Sequence, residues 1–303
     1  MEARFFTIIV CAGATLSMGA SHRTANFIVS AQRAEFAQAV CNAAEQYRRD
    51  LAIEWLGREL PRWPEPCPIS VQSAPGMGAG GATTFAFNNG QPFGWTMSVQ
   101  GSEQRILDSV LPHEVTHTIF ATHFGRPLPR WADEGACTTV EHISEKTKQH
   151  HLLIEALTTN RGISFNRMFA MREYPPDMLP LYAQGYSLAR FLIAQKGKRN
   201  FIKYIGDGMQ DDDWPRATRQ HFGFQNISDL QVSWLEWVRK GSSQQQAKIM
   251  LASRMGTTNS RQRDPVLRQA SVSREALTRA NLRDPAESWY AQQSRLNDDS
   301  ILW

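Results

Sequence analysis

Only four cysteines occur in 303 residues, and Cys11 falls in the N-terminal apolar stretch. The other three, Cys41, Cys67 and Cys137, admit one disulfide, Cys41 to Cys67, in an oxidising compartment; the alternative is three buried free thiols. Cys137 has no second cysteine nearby, so thiolate ligation of a metal is not expected there. The run Gly76-Met-Gly-Ala-Gly-Gly81 lacks the Gly-Lys-Ser/Thr ending of a phosphate loop, which argues against nucleotide binding. No basic cluster is interleaved with aromatics and the formal charge is only +4, so no nucleic-acid partner is implied. Between Gly76 and Ser102 there is no aspartate or glutamate at all.

What is present begins with a leader. Arg4 gives a positive start, Phe5 to about Leu16 an apolar core, and Ser17-Met-Gly-Ala-Ser21 small residues for cleavage, so residues 1–21 read as a secretory signal peptide. The apolar run is too short for a transmembrane helix. No cysteine sits at a cleavage position, which argues against a lipoprotein. The expectation is export to a periplasmic or extracellular location, with no stable membrane insertion unless the signal is retained as an anchor.

Residues 25–241 then form one domain. Asn26–Ser30 is strand-like, and Glu35–Glu59 reads as a long amphipathic helix with Phe36, Val40, Ala44, Tyr47, Leu51 and Trp55 at three-to-four spacing. Pro61, Pro64 and Pro66 end it, and Pro68–Gln72 is a strand. Thr83–Phe87, the Asn88-Asn-Gly90 turn and Gly94–Val99 read as a hairpin. From Ser102 the chain is mainly helical, with stretches near 130–145, 147–159, 181–196, 199–207, 213–221 and 227–240. On the last of these Trp234, Leu235 and Val238 are core candidates. Asp211-Asp-Asp213 lacks the surroundings of a calcium loop and reads as a solvated turn. Residues 242–303 are rich in Ser, Gln, Asn and Arg and poor in large apolar side chains. That composition predicts a disordered tail, with no chemistry assigned to it.

The chain is organised around Leu111–His123, which contains His113-Glu-Val-Thr-His117, an HExxH motif on a helical segment. Histidines four apart project from one helix face, as a single tetrahedral zinc requires. Glu114, beside the first histidine, is placed to take a proton from a water at such an ion. Pro112 just before the motif implies a kink or a helix start nearby.

A third ligand has two candidates. His123 follows His117 by the metzincin spacing, but Phe120 stands where that pattern needs its turning glycine. On an unbroken helix His123 lies roughly 600° round from His117, off the ligand face, and reads as a helix-end residue. Glu134 is the better candidate. Gly125, Pro127 and Pro129 break the first helix, a second starts near Arg130, and so short a connection packs the two antiparallel. Asp133, about 100° away from Glu134 on that helix, reads as a solvated or N-terminal charge.

HEVTH followed by Arg130-Trp-Ala-Asp-Glu-Gly-Ala136 resembles the gluzincin metallopeptidases, in particular the peptidase MA-like group with its HExxH and WxxEGxA motifs. Leu181-Tyr-Ala-Gln-Gly-Tyr-Ser-Leu-Ala-Arg-Phe-Leu192 is similar to the YxxG helix of gluzincin aminopeptidases. The resemblance implies an α+β, zincin-like (thermolysin-type) domain, a small mixed sheet followed by a mainly helical half. It implies one Zn2+ on His113, His117 and Glu134, with Glu114 as base, Tyr182 as oxyanion donor and a peptide or protein as substrate. One strand of the hairpin would then hold extended substrate, unless it merely closes the sheet.

Two departures from the family pattern matter. Gln184 stands where the aminopeptidases carry lysine, and their α-amine-binding glutamate has no counterpart between Gly76 and Ser102. An endopeptidase is therefore expected rather than an aminopeptidase. Tyr186 is either a second oxyanion donor or a core aromatic, and Glu141 either orients a ligand or caps a surface. Two other classes stay open: an exported peptidase-like binding module with weak or no catalysis, and a purely structural zinc with four protein ligands.

Overall fold

Alternation of apolar and polar residues builds the first half of the chain. The computed structural model describes residues 19–242. Strands β1 (Ala20–Arg23), β2 (Phe27–Ala31), β3 (Cys67–Ser73), β4 (Gly80–Asn88) and β5 (Gln91–Gly101) form one mixed sheet in the order β1-β2-β3-β5-β4. The pairs β2–β3 and β3–β5 are parallel, and β1–β2 and β4–β5 antiparallel. In β3 the burial alternates strictly over Cys67, Ile69 and Val71, the period of two that puts one strand face into a core. β4 lies at the sheet edge.

Helix α1 (Ala34–Leu56) connects β2 to β3 and buries Phe36, Val40, Cys41, Ala44, Leu51 and Trp55. Gly57 ends it with φ 78°, a left-handed position that glycine adopts without a Cβ penalty. Ser102 caps the next helical stretch by accepting the Arg105 N–H. That stretch is continuous through α2 (Glu103–Arg105), a π turn over Ile106–Val110 and α3 (Leu111–Phe124). The π turn gives physical form to the irregularity expected at Pro112. A proline has no N–H and crowds the carbonyl four residues back, and widening the preceding turn relieves both.

The helical half follows with α4 (Arg130–Thr138), α5 (Ile143–Thr158), α6 (Phe165–Phe169), α7 (Leu179–Asp211), α8 (Trp214–Phe222) and α9 (Ile227–Arg239). Helix α7 is broken at Gly197, with φ 79° and ψ 167°, between the two stretches read from the sequence. The stretch expected over 130–145 is two helices, because the chain turns after Thr138 and His142 caps α5 by accepting the Ser144 N–H. Trp131, Phe169, Trp214 and Phe201 form an aromatic cluster behind α4. The fold is thus α+β, a small mixed sheet and a mainly helical half.

Other expectations resolve here. Cys41, Cys67 and Cys137 are buried free thiols, not a disulfide and a thiol. Burial pushes the Cys67 thiol up to about 12. Trp234 and Val238 are core, but Leu235 is 37 % exposed, since its turn of the helix faces away from the stripe that buries Trp234. Asp211 pairs with Arg216 and Asp213 caps α8, so the acidic run is a helix-capping turn. The first 18 residues of the expected signal peptide and residues 243–303 of the tail lie outside the described residues. Ala20 and Ser21, at the end of that expected signal, belong to β1. Among the described residues no helix is long and apolar enough to cross a membrane.

Candidate metal centre

Two glycines decide how the site is assembled. A Cβ on Gly135 would lie 2.3 Å from the Gly185 carbonyl oxygen, and one on Gly185 would lie 2.5 Å from the Trp131 carbonyl oxygen. Helices α4 and α7 therefore cross backbone to backbone. That contact brings Glu134, next to Gly135, and Tyr182, three residues before Gly185, into the same cleft as α3. The cleft has β4 on one side, contributing Gly81, Thr83 and Phe85. On the other side stand α5 and the loop that carries Tyr174.

His113 and His117 stand one turn apart on α3, with ring centroids 4.9 Å apart. Their Nε2 atoms face the same oxygen of Glu134, Oε2, at 3.4 and 3.7 Å. Their Nδ1 atoms are engaged separately. Glu141 Oε1 lies 2.5 Å from His113 Nδ1, and Asp133 Oδ1 lies 2.9 Å from His117 Nδ1. A carboxylate on Nδ1 keeps the proton there and leaves the Nε2 lone pair for an ion, the usual support of a histidine ligand. Both carboxylates are well covered, at 13 % and 15 % exposure, so Asp133 is the N-terminal charge of the two readings, in the first turn of α4, and not a solvated one. Glu141 reaches His113 from the turn between α4 and α5, not from a continued helix.

Cys137 Sγ lies 3.4 Å from His117 Nδ1, on the ring edge that also meets Asp133. His113, His117 and Cys137 form a group whose ligand atoms lie within 4.8 Å of one another, and such a group can hold a metal ion. Burial first, and then the charges of Asp133, Glu134 and Glu114, push the Cys137 thiol well above its ordinary value.

Glu114 is 4 % exposed and points the other way, towards the sheet. Thr83 Oγ1 on β4 donates to its Oε2 at 2.7 Å. Gly81 lies so close that a Cβ there would be 2.5 Å from Glu114 Oε1, so the glycine makes room for the carboxylate. Burial raises the Glu114 pKa, and His113 and His117 offset this only in part. Burial acts the same way on Glu134. There the His113 hydrogen bond and the two imidazoles prevail, and its pKa falls to about 2. For His117, burial disfavours the charged ring, but Asp133 outweighs it and lifts the pKa to about 9.

Tyr182 is 5 % exposed and lines the cleft. Tyr186 is 1 % exposed and belongs to the core behind it. Gln184 has a structural role: its amide accepts from Ile163 N at 2.6 Å and donates to Ile163 O at 2.8 Å. His123 is exposed at the end of α3, stacked edge-on against Phe124 and away from the other two histidines. The sequence reading missed Tyr174, whose hydroxyl donates to Glu134 Oε1 at 2.6 Å. It sits in the irregular segment between α6 and α7, where no periodicity marks it. A scan against protein-family models finds none that matches this chain, and a search of curated proteins likewise gives no match.

Proposed function

We propose that this protein is a zinc-dependent metallopeptidase of the zincin type that cleaves peptide bonds within a chain rather than from a free amino terminus. The observation that carries this reading is the convergence of His113 Nε2, His117 Nε2 and Glu134 Oε2 beside a buried glutamate in an open cleft. Ligands bonded at ~2.0–2.1 Å in a tetrahedral zinc site stand roughly 3.3 Å apart. The separations of 3.4 and 3.7 Å from the glutamate oxygen to the two imidazoles need only a few tenths of an ångström of closure. Two imidazoles and a carboxylate form a donor set suited to zinc. Cys137 meets the opposite edge of His117 and stays a thiol outside this set.

Bound zinc would supply Lewis acidity to the scissile carbonyl and bring the pKa of a water towards neutrality. Glu114 takes the proton from the attacking water and returns it to the leaving amine. The hydrogen bond from Thr83 fixes the carboxylate's direction. Tyr182 is the donor to the developing oxyanion, a role that rests on the YxxG resemblance and on its position in the cleft. The outer edge of β4 offers backbone groups for an extended chain. From Gly76 to Ser102 no carboxylate is available to hold an α-amine, which favours internal cleavage.

The test is paired, on the parent protein and Glu114→Gln. We expect one zinc per chain in both and cleavage of a mixed peptide library by the parent alone. No zinc in either after metal addition would overturn the reading. One zinc in both without cleavage would turn it into a binding protein.

A further inference from the structure

We infer that Tyr174 is the residue that sets how Glu134 meets the metal, by occupying one of its two carboxylate oxygens so that only the other faces the imidazoles. The inference rests on the zinc reading above and adds a positioning residue to it. A carboxylate free at both oxygens can bind an ion through one or both of them, or swing between the two modes. In Glu134 the oxygens are already divided. Oε2 faces His113 and His117 at 3.4 and 3.7 Å, and Oε1 accepts the Tyr174 hydroxyl at 2.6 Å, a short, charge-assisted bond.

Tyr174 is itself held in place, although its segment is neither helix nor strand. The Arg130 guanidinium lies 4.5 Å over its ring, and Arg130 Nη1 is 3.4 Å from its hydroxyl. Arg130 stands four residues before Glu134 on α4, hence on the same helix face. The ligand and the cation that steadies its phenol are thus fixed by one helix. The Tyr174 ring also stacks on Tyr182, with centroids 6.3 Å apart and planes 14° from parallel. One loop residue therefore links the metal's carboxylate ligand to the tyrosine assigned to the oxyanion.

Tyr174→Phe keeps the ring, its stacking and its contact with Arg130, and deletes only the hydroxyl. Zinc affinity is measured by competition with a chromophoric chelator, and coordination by the visible absorption of the Co2+-loaded protein. We expect the zinc Kd to rise about 10- to 100-fold, the usual cost of losing a group that orients a ligand. We expect weaker Co2+ bands as Glu134 becomes free to bind through both oxygens. Tyr182→Phe is the comparison, and should leave both readouts at the parent values. A Tyr174→Phe protein with parental zinc Kd and an unchanged Co2+ spectrum would overturn the inference while leaving the zinc reading intact. A parent protein that takes up no metal would sink both.

Discussion

Glu114 and Glu134 are the same residue type, each 4 % exposed, on opposite sides of one pair of histidines. Their surroundings drive them apart. Burial works against the charge on Glu134, but the His113 hydrogen bond, both imidazoles and the Tyr174 hydroxyl prevail, and its pKa falls to about 2. Around Glu114 burial wins over the same two imidazoles and the Thr83 hydroxyl, raising its pKa. The helical wall thus makes a carboxylate that stays charged, as a ligand must. The strand wall makes one that can carry a proton. That separation supports the proposed division of roles, with Glu134 as ligand and Glu114 as base.

The largest break in that comparison comes from making the same substitution on each side. Glu114→Gln should lower turnover about 100- to 10,000-fold, the share of a general base, while zinc stays at one per chain. Glu134→Gln should lose the zinc itself on dialysis against a weak chelator. The reverse pattern would exchange the two assignments. Next in size is Gly135→Ala, which drives a methyl into the Gly185 backbone and must separate α4 from α7. A loss of about 3 kcal/mol in denaturant unfolding is expected, together with weaker zinc binding.

Smaller effects test the supports. Asp133→Asn should weaken zinc about 10- to 100-fold in a chelator titration. It should also flatten the pH dependence of metal-free stability. His117 is held at about 9, above its unfolded value near 6.5. Its contribution is therefore complete below 6.5 and lost as pH rises through 9. Thermal melts of the metal-free parent should fall across that window, and those of Asp133→Asn should fall less. Thr83→Val removes the hydrogen bond that aims Glu114, and should lower kcat about tenfold with zinc affinity unchanged.

Much of this was legible in local sequence. HExxH spacing placed both histidines on one helix face, and the breaks at Gly125, Pro127 and Pro129 returned α4 across it. The supports were legible only in part, for separate reasons. Asp133, about 100° from Glu134, reads from sequence only as a solvated or N-terminal charge. An imidazole, however, has two working edges, and that angle brings Asp133 to the second one. Glu141 was one candidate to orient a ligand within the helix expected over 130–145, yet it reaches His113 from a turn after α4 has ended. Tyr174 lies in Glu173-Tyr-Pro-Pro-Asp-Met178, a stretch with no period to mark an inward face. The motif glycines Gly135 and Gly185 acquire their meaning only as a pair of crossing backbones. Strand β1 was hidden because Ala20 and Ser21 read as the end of the leader.

Which atoms surround the ion decides between Glu134 and Cys137 as the third ligand, because Cys137 lies near His117 on its other edge. X-ray absorption of the zinc-loaded protein reads this without any substitution. The prediction is a shell of nitrogen and oxygen alone at about 2.0–2.1 Å, with imidazole scattering from two histidines. A sulfur contribution at about 2.3 Å would place Cys137 on the metal and contradict the division of labour between Glu134 and Glu114.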